Sequence, residues 1–187
     1  MLRYKFADIS DFSDGELQST YTALSDRQKE YLDSLNSTKR KQSLCARALL
    51  ARILNYYNIP VCLSSLNSKN NGKPYLIGSR LFVSFTHSNQ YVGCAISDAS
   101  VGIDIEKIKD VKDKVILRVC NEEEITYISS KGISAFFEIW TFKEAYIKAF
   151  DKKLNNMSDI SFLKEKDTLN RCISGEIDGY KWHLLVL

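Results

Sequence analysis

The order of periodic segments along the chain predicts an α+β fold made of two similar lobes. Helical and strand patterns come in blocks joined by short, hairpin-like connections, unlike the regular strand–helix alternation of a doubly wound sheet. Each half reads as a helix followed by short strands, with the change of half near residues 98–100. The 187 residues, 44% hydrophobic and 26% charged, suit one compact domain or two small, tightly packed ones. The expected organisation is a pseudo-two-fold pair of lobes, residues 1–100 and 101–187. Each is a helix packed on a small, mostly antiparallel sheet.

Leu2, Tyr4 and Phe6 alternate with Arg3 and Lys5, the pattern of a half-buried strand. Residues 14–34 are polar with scattered Leu and Tyr and open on the cap Ser13-Asp14-Gly15-Glu16, which predicts one or two short helices. From 37 to 57, Leu44, Leu49, Leu50, Ile53, Leu54 and Tyr57 form an apolar stripe at helical spacing that Pro60 brings to an end. Arg40, Ser43 and Arg47 share another face of that helix, which also fits a plain solvated surface. Asn70-Asn71-Gly72-Lys73-Pro74 is a turn by composition. Strands are expected over 75–77, 81–85, 91–97 and 101–106, then helical pieces over 111–118 and 122–129. The stretch 136–150 has no Gly or Pro and is far longer than a strand, hence a helix. Strands at 160–163, 171–177 and 182–187, punctuated by Gly175 and Gly179, complete the expectation.

Composition narrows the function classes. Met1-Leu2-Arg3-Tyr4-Lys5-Phe6 has no apolar run after its basic residues, so no signal peptide is expected. No stretch approaches the ~20 apolar residues of a membrane span. Cys45, Cys62, Cys94, Cys120 and Cys172 are odd in number, widely spaced and without a C-x-x-C pair. That pattern argues against a disulfide framework or a zinc site and for a reducing cytoplasm. A net charge of +3 is mild, so attraction to an acidic partner must come from local clustering.

Two carboxylates lie on the strand Val101-Gly102-Ile103-Asp104-Ile105-Glu106. With a side-chain period of two, Asp104 and Glu106 share one side and Val101, Ile103 and Ile105 the other. Such a strand would hardly turn two repelling charges inward without a cation. On the helix 136–150, Phe137, Glu144 and Lys148 share a narrow face with Trp140 beside them. Glu144 and Lys148 also fit a simple i, i+4 pair that supports the helix. Asp104, Glu106 and Glu144 are hard oxygen ligands suited to Mg²⁺, which takes its remaining ligands from water and substrate phosphates. Lys148 could reach a phosphate as a point charge. His87 ends a strand between hydroxyl residues and suits a phosphate donor or a satisfied loop histidine, whereas His183 in an apolar strand reads as structural. Spacing alone points to a Mg²⁺ enzyme acting on a phosphate ester.

The strand motif, followed by Trp140-Thr141-Phe142-Lys143-Glu144-Ala145-Tyr146-Ile147-Lys148, closely resembles the two signature motifs of the 4′-phosphopantetheinyl transferases. Gly72-Lys73-Pro74-Tyr75 and Phe82-Val83-Ser84-Phe85-Thr86-His87-Ser88 resemble that family's upstream blocks, with Thr86 where the family more often has Ser. The blocks keep the family's order over roughly residues 40–150. The single-chain length is similar to the Sfp-type subfamily and unlike the shorter trimeric synthases. A final strand usual in the longer relatives is expected to be missing after Leu187.

The resemblance implies transfer of the 4′-phosphopantetheine arm of coenzyme A to a serine of an apo acyl or peptidyl carrier protein. Adenosine 3′,5′-bisphosphate would leave. It implies Asp104, Glu106 and Glu144 as Mg²⁺ ligands, with Lys148 on the phosphates. Lys73, Pro74, Thr86, His87, Lys143 and Lys148 would bind the coenzyme, together with Arg47 and, by a looser match, Arg40 or Lys41. The proton acceptor would be Glu144, Glu124 or the neighbouring Glu123, or a metal-bound water. The coenzyme side would lie in residues 1–100 and the metal and signature helix in 101–187, with the active site between the lobes. The carrier contact, mainly apolar with a basic rim, would fall near 111–128. A two-lobed chain carries its own internal partner, so a monomer is expected. A phosphodiesterase or nuclease using the same carboxylates is disfavoured because the basic residues lack aromatic interleaving. A protein that only binds carriers is disfavoured by the intact carboxylate set.

Overall fold

The computed structural model describes residues 1–69, 71–152, 157–166 and 171–187. The chain forms two compact units, Met1–Ser100 and Val101–Leu187. Both are α+β with antiparallel sheets, the class that the pattern of segments predicts.

In the first unit, β1 (Leu2–Asp8) is followed by α1 (Asp14–Ala23), α2 (Asp26–Asp33) and α3 (Ser37–Tyr56). Asn36 caps α3 by accepting from the Lys39 N–H at 3.0 Å, which satisfies one of the helix's orphan donors. The apolar stripe of α3 buries Cys45, Ala48, Leu49 and Leu50 completely against Val83, Val92, Cys94 and Ile96 of the sheet. The remaining strands are β2 (Leu66–Ser68), β3 (Pro74–Leu76), β4 (Phe82–Ser88) and β5 (Tyr91–Ser97). They assemble in the order β1-β5-β4-β3-β2. Strand β2 is absent from the sequence expectation: three residues of mixed polarity carry no usable period, and pairing with β3 makes them a strand. The turn before β3 is closed by the Lys69 N–H on the Lys73 carbonyl at 2.9 Å, while Asn70 lies outside the described residues.

The second unit opens with β6 (Val101–Lys107), then α4 (Asp113–Val119), α5 (Glu122–Lys131) and α6 (Ile133–Phe150). A short helix α7 (Phe162–Glu165) and the hairpin β7 (Cys172–Ile177) and β8 (Tyr180–Val186) complete it, with strand order β6-β8-β7. Asp178 and Gly179, both at positive φ, make the two-residue turn of that hairpin, the geometry that matches the twist of paired strands. Helix α6 covers β6 and β8, with Ile139, Phe142 and Ala145 wholly buried.

Where a strand is expected at 160–163, Phe162 and Leu163 instead open α7. A stretch of four residues, Ile160-Ser161-Phe162-Leu163, is too short for its period to separate helix from strand. Here the Phe162 N–H donates to Glu124 Oε1 at 2.7 Å, while its ring packs edge-on to Phe142 at 5.2 Å. The long helix also starts earlier than 136, because Gly132 ends α5 and α6 follows at once. No helix among the described residues is long and apolar enough to cross a membrane. All five cysteines are free thiols. Burial pushes the Cys45 thiol up to about 11 and the Cys120 thiol up to about 12, which leaves them unreactive.

His183, on β8, is buried with its Nδ1 2.8 Å from Thr141 Oγ1. Burial first, then the nearby Lys181 charge, holds its pKa down to about 3 against an ordinary 6.5. As pH falls, the unfolded chain therefore takes up this proton before the folded one. Stability from this group is complete above pH ~6.5 and drains toward pH ~3, at about 1.4 kcal/mol per pH unit. Urea unfolding of the protein between pH 7 and 5 is expected to show this one-proton slope. The His183→Gln protein is expected to lack it.

Candidate active site

On β6 the acidic side faces α6. Gly102 lies under the helix backbone: a β-carbon there would stand 1.9 Å from the Ala145 carbonyl oxygen and 2.6 Å from the Ala149 nitrogen. A glycine inside a strand marks such a close approach, a signal present in the sequence and not read there. Two residues along the same side, Asp104 is 5% exposed and accepts from Lys148 Nζ at 2.6 Å. Lys148 Nζ also donates to the Ile103 carbonyl at 3.0 Å. The cation that an inward-facing acidic strand demands thus comes from one turn beyond Glu144.

The Glu144 carboxyl is pushed above its ordinary value, first by burial and then by the Asp104 charge. Lys148 pulls it down and Glu106 pushes it up again. The structure therefore brings Asp104, Glu106, Glu144 and Lys148 into one electrostatic neighbourhood, all from the second unit. Among the described residues, no group of three or more carboxylate, imidazole or thiol side chains is arranged to hold a metal ion. The donor set is nonetheless of the right kind for a hard divalent cation: carboxylate oxygens whose mutual repulsion such an ion would relieve.

Two other candidates are placed elsewhere. Lys143 and Glu124 have side chains 0% exposed and face each other, Nζ to Oε2, at 2.6 Å. Lys143 Nζ also donates to the Val119 carbonyl at 2.7 Å. Glu124 Oε2 further accepts from the Asn121 N–H at 3.0 Å. Lys143, expected at the coenzyme, and Glu124, expected as a proton acceptor, thus form an interior ion pair. A helix-face argument cannot see which face a second helix covers. Glu123 is exposed, with Lys164 Nζ 3.9 Å from its Oε2.

The coenzyme candidates Arg47, Lys73, Pro74, Thr86 and His87 all belong to the first unit. Arg47 is 5% exposed, with Nε and Nη2 donating to Gln28 Oε1 at 3.0 and 2.7 Å and Nη1 to the Ser43 carbonyl at 2.8 Å. Burial lowers its pKa to about 10, since Gln28 supplies oxygen but no charge. Gln28 had no signal in the sequence, being one polar residue on a polar helix. Arg40 donates to Asp33 Oδ1 at 3.0 Å from Nη2, and Lys41 is exposed. Lys73 is half-buried beside Ser100, with Nζ 3.4 Å from its Oγ. Pro74 opens β3, and on β4 Thr86 is buried while His87 is exposed.

A family model described as the 4′-phosphopantetheinyl transferase superfamily matches residues 100–186. The chain is similar to the 4′-phosphopantetheinyl transferase gsp of Aneurinibacillus migulanus, 33% identical over 132 residues, 68% of this chain and 55% of that protein. It is 30% identical over 121 residues to the 4′-phosphopantetheinyl transferase psf-1 of Bacillus pumilus, covering 62% of this chain and 52% of that one. It is 31% identical over 74 residues to the 4′-phosphopantetheinyl transferase Sfp of Bacillus subtilis strain 168, covering 37% of this chain and 33% of that one. The chain spans about half the length of the first two of these curated relatives.

Gly102→Ala is expected to force α6 off β6 and to lower the unfolding free energy by about 3 kcal/mol, the upper range for overpacking. Gly15→Ala, in α1 with nothing within 4 Å of the new methyl group, is expected to raise it by about 0.5–1 kcal/mol. Urea denaturation of the two variants beside the parent checks both signs.

Proposed function

We propose that the chain is a member of the 4′-phosphopantetheinyl transferase superfamily, to whose family model and named relatives it is similar, and that it transfers the 4′-phosphopantetheine arm of coenzyme A to a serine of an apo carrier protein. The serine Oγ forms a bond to the β-phosphorus of coenzyme A. The bond from that phosphorus to the bridging oxygen breaks, and adenosine 3′,5′-bisphosphate leaves. The observation that carries the reading is the convergence of both signature motifs: Lys148 Nζ 2.6 Å from Asp104 Oδ1, with Glu144 one turn before Lys148.

Lys148 is half-buried, and its ammonium is ready to stabilise charge on a phosphate or leaving oxygen where water is scarce. Glu144, one turn before Lys148 on α6, is the carboxylate proposed to take the serine proton. Asp104, Glu106 and Glu144 would hold Mg²⁺, which when bound offsets the charge of the diphosphate. Lys73, Pro74, Thr86, His87 and Arg47 serve the coenzyme, with the exposed His87 the group best able to donate to a phosphate. The carrier, whose serine helix is acidic, meets α4. There Leu117 is 66% exposed, with Lys114 and Arg118 exposed on the same side of the helix.

Incubation with coenzyme A, Mg²⁺ and an apo carrier protein is expected to add one phosphopantetheine group to the carrier, read as intact mass. The Asp104→Ala protein and an EDTA control should add none. A carrier of unchanged mass in every arm, with no coenzyme A binding by calorimetry, sinks the reading. Leu117→Asp is expected to raise KM for the carrier about tenfold and to leave KM for coenzyme A unchanged in steady-state rates.

A further inference from the structure

The geometry points to Glu124 and Lys143 as positioning residues: a buried pair that sets the rotation of α6, and through it the placement of Glu144 and Lys148 against Asp104. This rests on the transferase reading above and gives Glu124 and Lys143 a part in it.

The pair joins four elements at one point. Lys143, in the middle of α6, donates to the carbonyl of Val119 at the end of α4. It also donates to Glu124 in the first turn of α5. Glu124 caps its own helix by accepting from Asn121 N–H, while its Oε1 accepts the Phe162 N–H that begins α7. Three N–H donors thus occupy the two carboxylate oxygens, and the side chain has no exposed surface. A serine hydroxyl has no approach to it. Proton acceptance needs hydrogen-bond reach, which this carboxylate does not offer.

What the pair does fix is direction. Lys143 and Glu144 are consecutive, so their side chains leave α6 about 100° apart. Anchoring Lys143 to α4 and α5 on one flank therefore determines where Glu144 points on the other. On the β6 flank the helix is held by the Gly102 approach and by Lys148 on Asp104. A helix pinned on two flanks cannot roll, and catalytic groups displaced by about 1 Å lose about a hundredfold in rate. Burying an ion pair adds little to stability compared with a well-packed apolar pair. Specifying one rotation of α6 is what the charges add that apolar side chains would not.

The test compares the parent protein with Glu124→Gln, Lys143→Met and the double variant. Transfer is followed by carrier mass, and folding by a cooperative thermal transition. Each single variant leaves a lone charge in the interior and is expected to lose about a hundredfold in kcat with KM for coenzyme A little changed. The double variant removes both charges and is expected to recover about tenfold over Glu124→Gln, a coupling that neighbours in one network show. If Glu124 were the proton acceptor, Lys143→Met would keep its base and stay active, and the double variant would be no faster than Glu124→Gln. Either result overturns the inference. So does an unchanged kcat in all three folded variants, which would leave the pair a purely structural role. Should Glu124→Gln fail to fold, Lys143→Met and the double variant decide the matter between them. Failure of the parent protein to transfer at all counts instead against the transferase reading.

Discussion

Helix α6 lies so close to β6 that nothing larger than a hydrogen fits on Gly102 beneath Ala145. From that approach follows the rest of the candidate site. It brings Lys148 within a short hydrogen bond of Asp104, and it brings Glu144 into the field of Asp104 and Glu106. Burial first, and then the Asp104 charge, push the Glu144 carboxyl above its ordinary range. A carboxyl perturbed in this way, beside a second carboxylate and a lysine, marks the patch as a candidate functional site.

Among the described residues two more cations, Arg47 and Lys143, are buried, and they are satisfied in different ways. Arg47 lies among apolar neighbours with the Gln28 amide and a backbone carbonyl as acceptors, and its proton affinity falls accordingly. Lys143 has a full counter-charge in Glu124. Removing either member of such a buried pair costs about 3–5 kcal/mol, since the survivor stays charged in a low dielectric. Arg47 is tied to Gln28 of α2 from α3, and Lys143 is tied to α4 and α5 from α6. Each cation therefore orients the principal helix of its own unit before it can serve any ligand.

The same long helix carries both kinds of lysine, five residues apart. Lys143 turns into the unit and is consumed there, whereas Lys148 keeps part of its surface in solvent while holding Asp104. The two are chemically identical and sit in the same signature motif. Only Lys148 combines a positive charge with access, the two properties that contact with a phosphate demands.

The amino-acid sequence by itself determined the α+β class, the helix and strand at the heart of the site, and the carboxylates that face one way. These depend on local periods, 3.6 for α6 and 2 for β6, and on motifs contiguous in the chain. The tertiary structure alone decided which faces are covered. It turned Lys143 and Glu124 into an interior pair, gave Gln28 to Arg47, and made a helix of Phe162–Glu165 by offering its first N–H a carboxylate from α5. Period and composition report how polar a residue's own face is. They carry no information about the element packed against that face, and burial, pairing and proton affinity are all set by that neighbour.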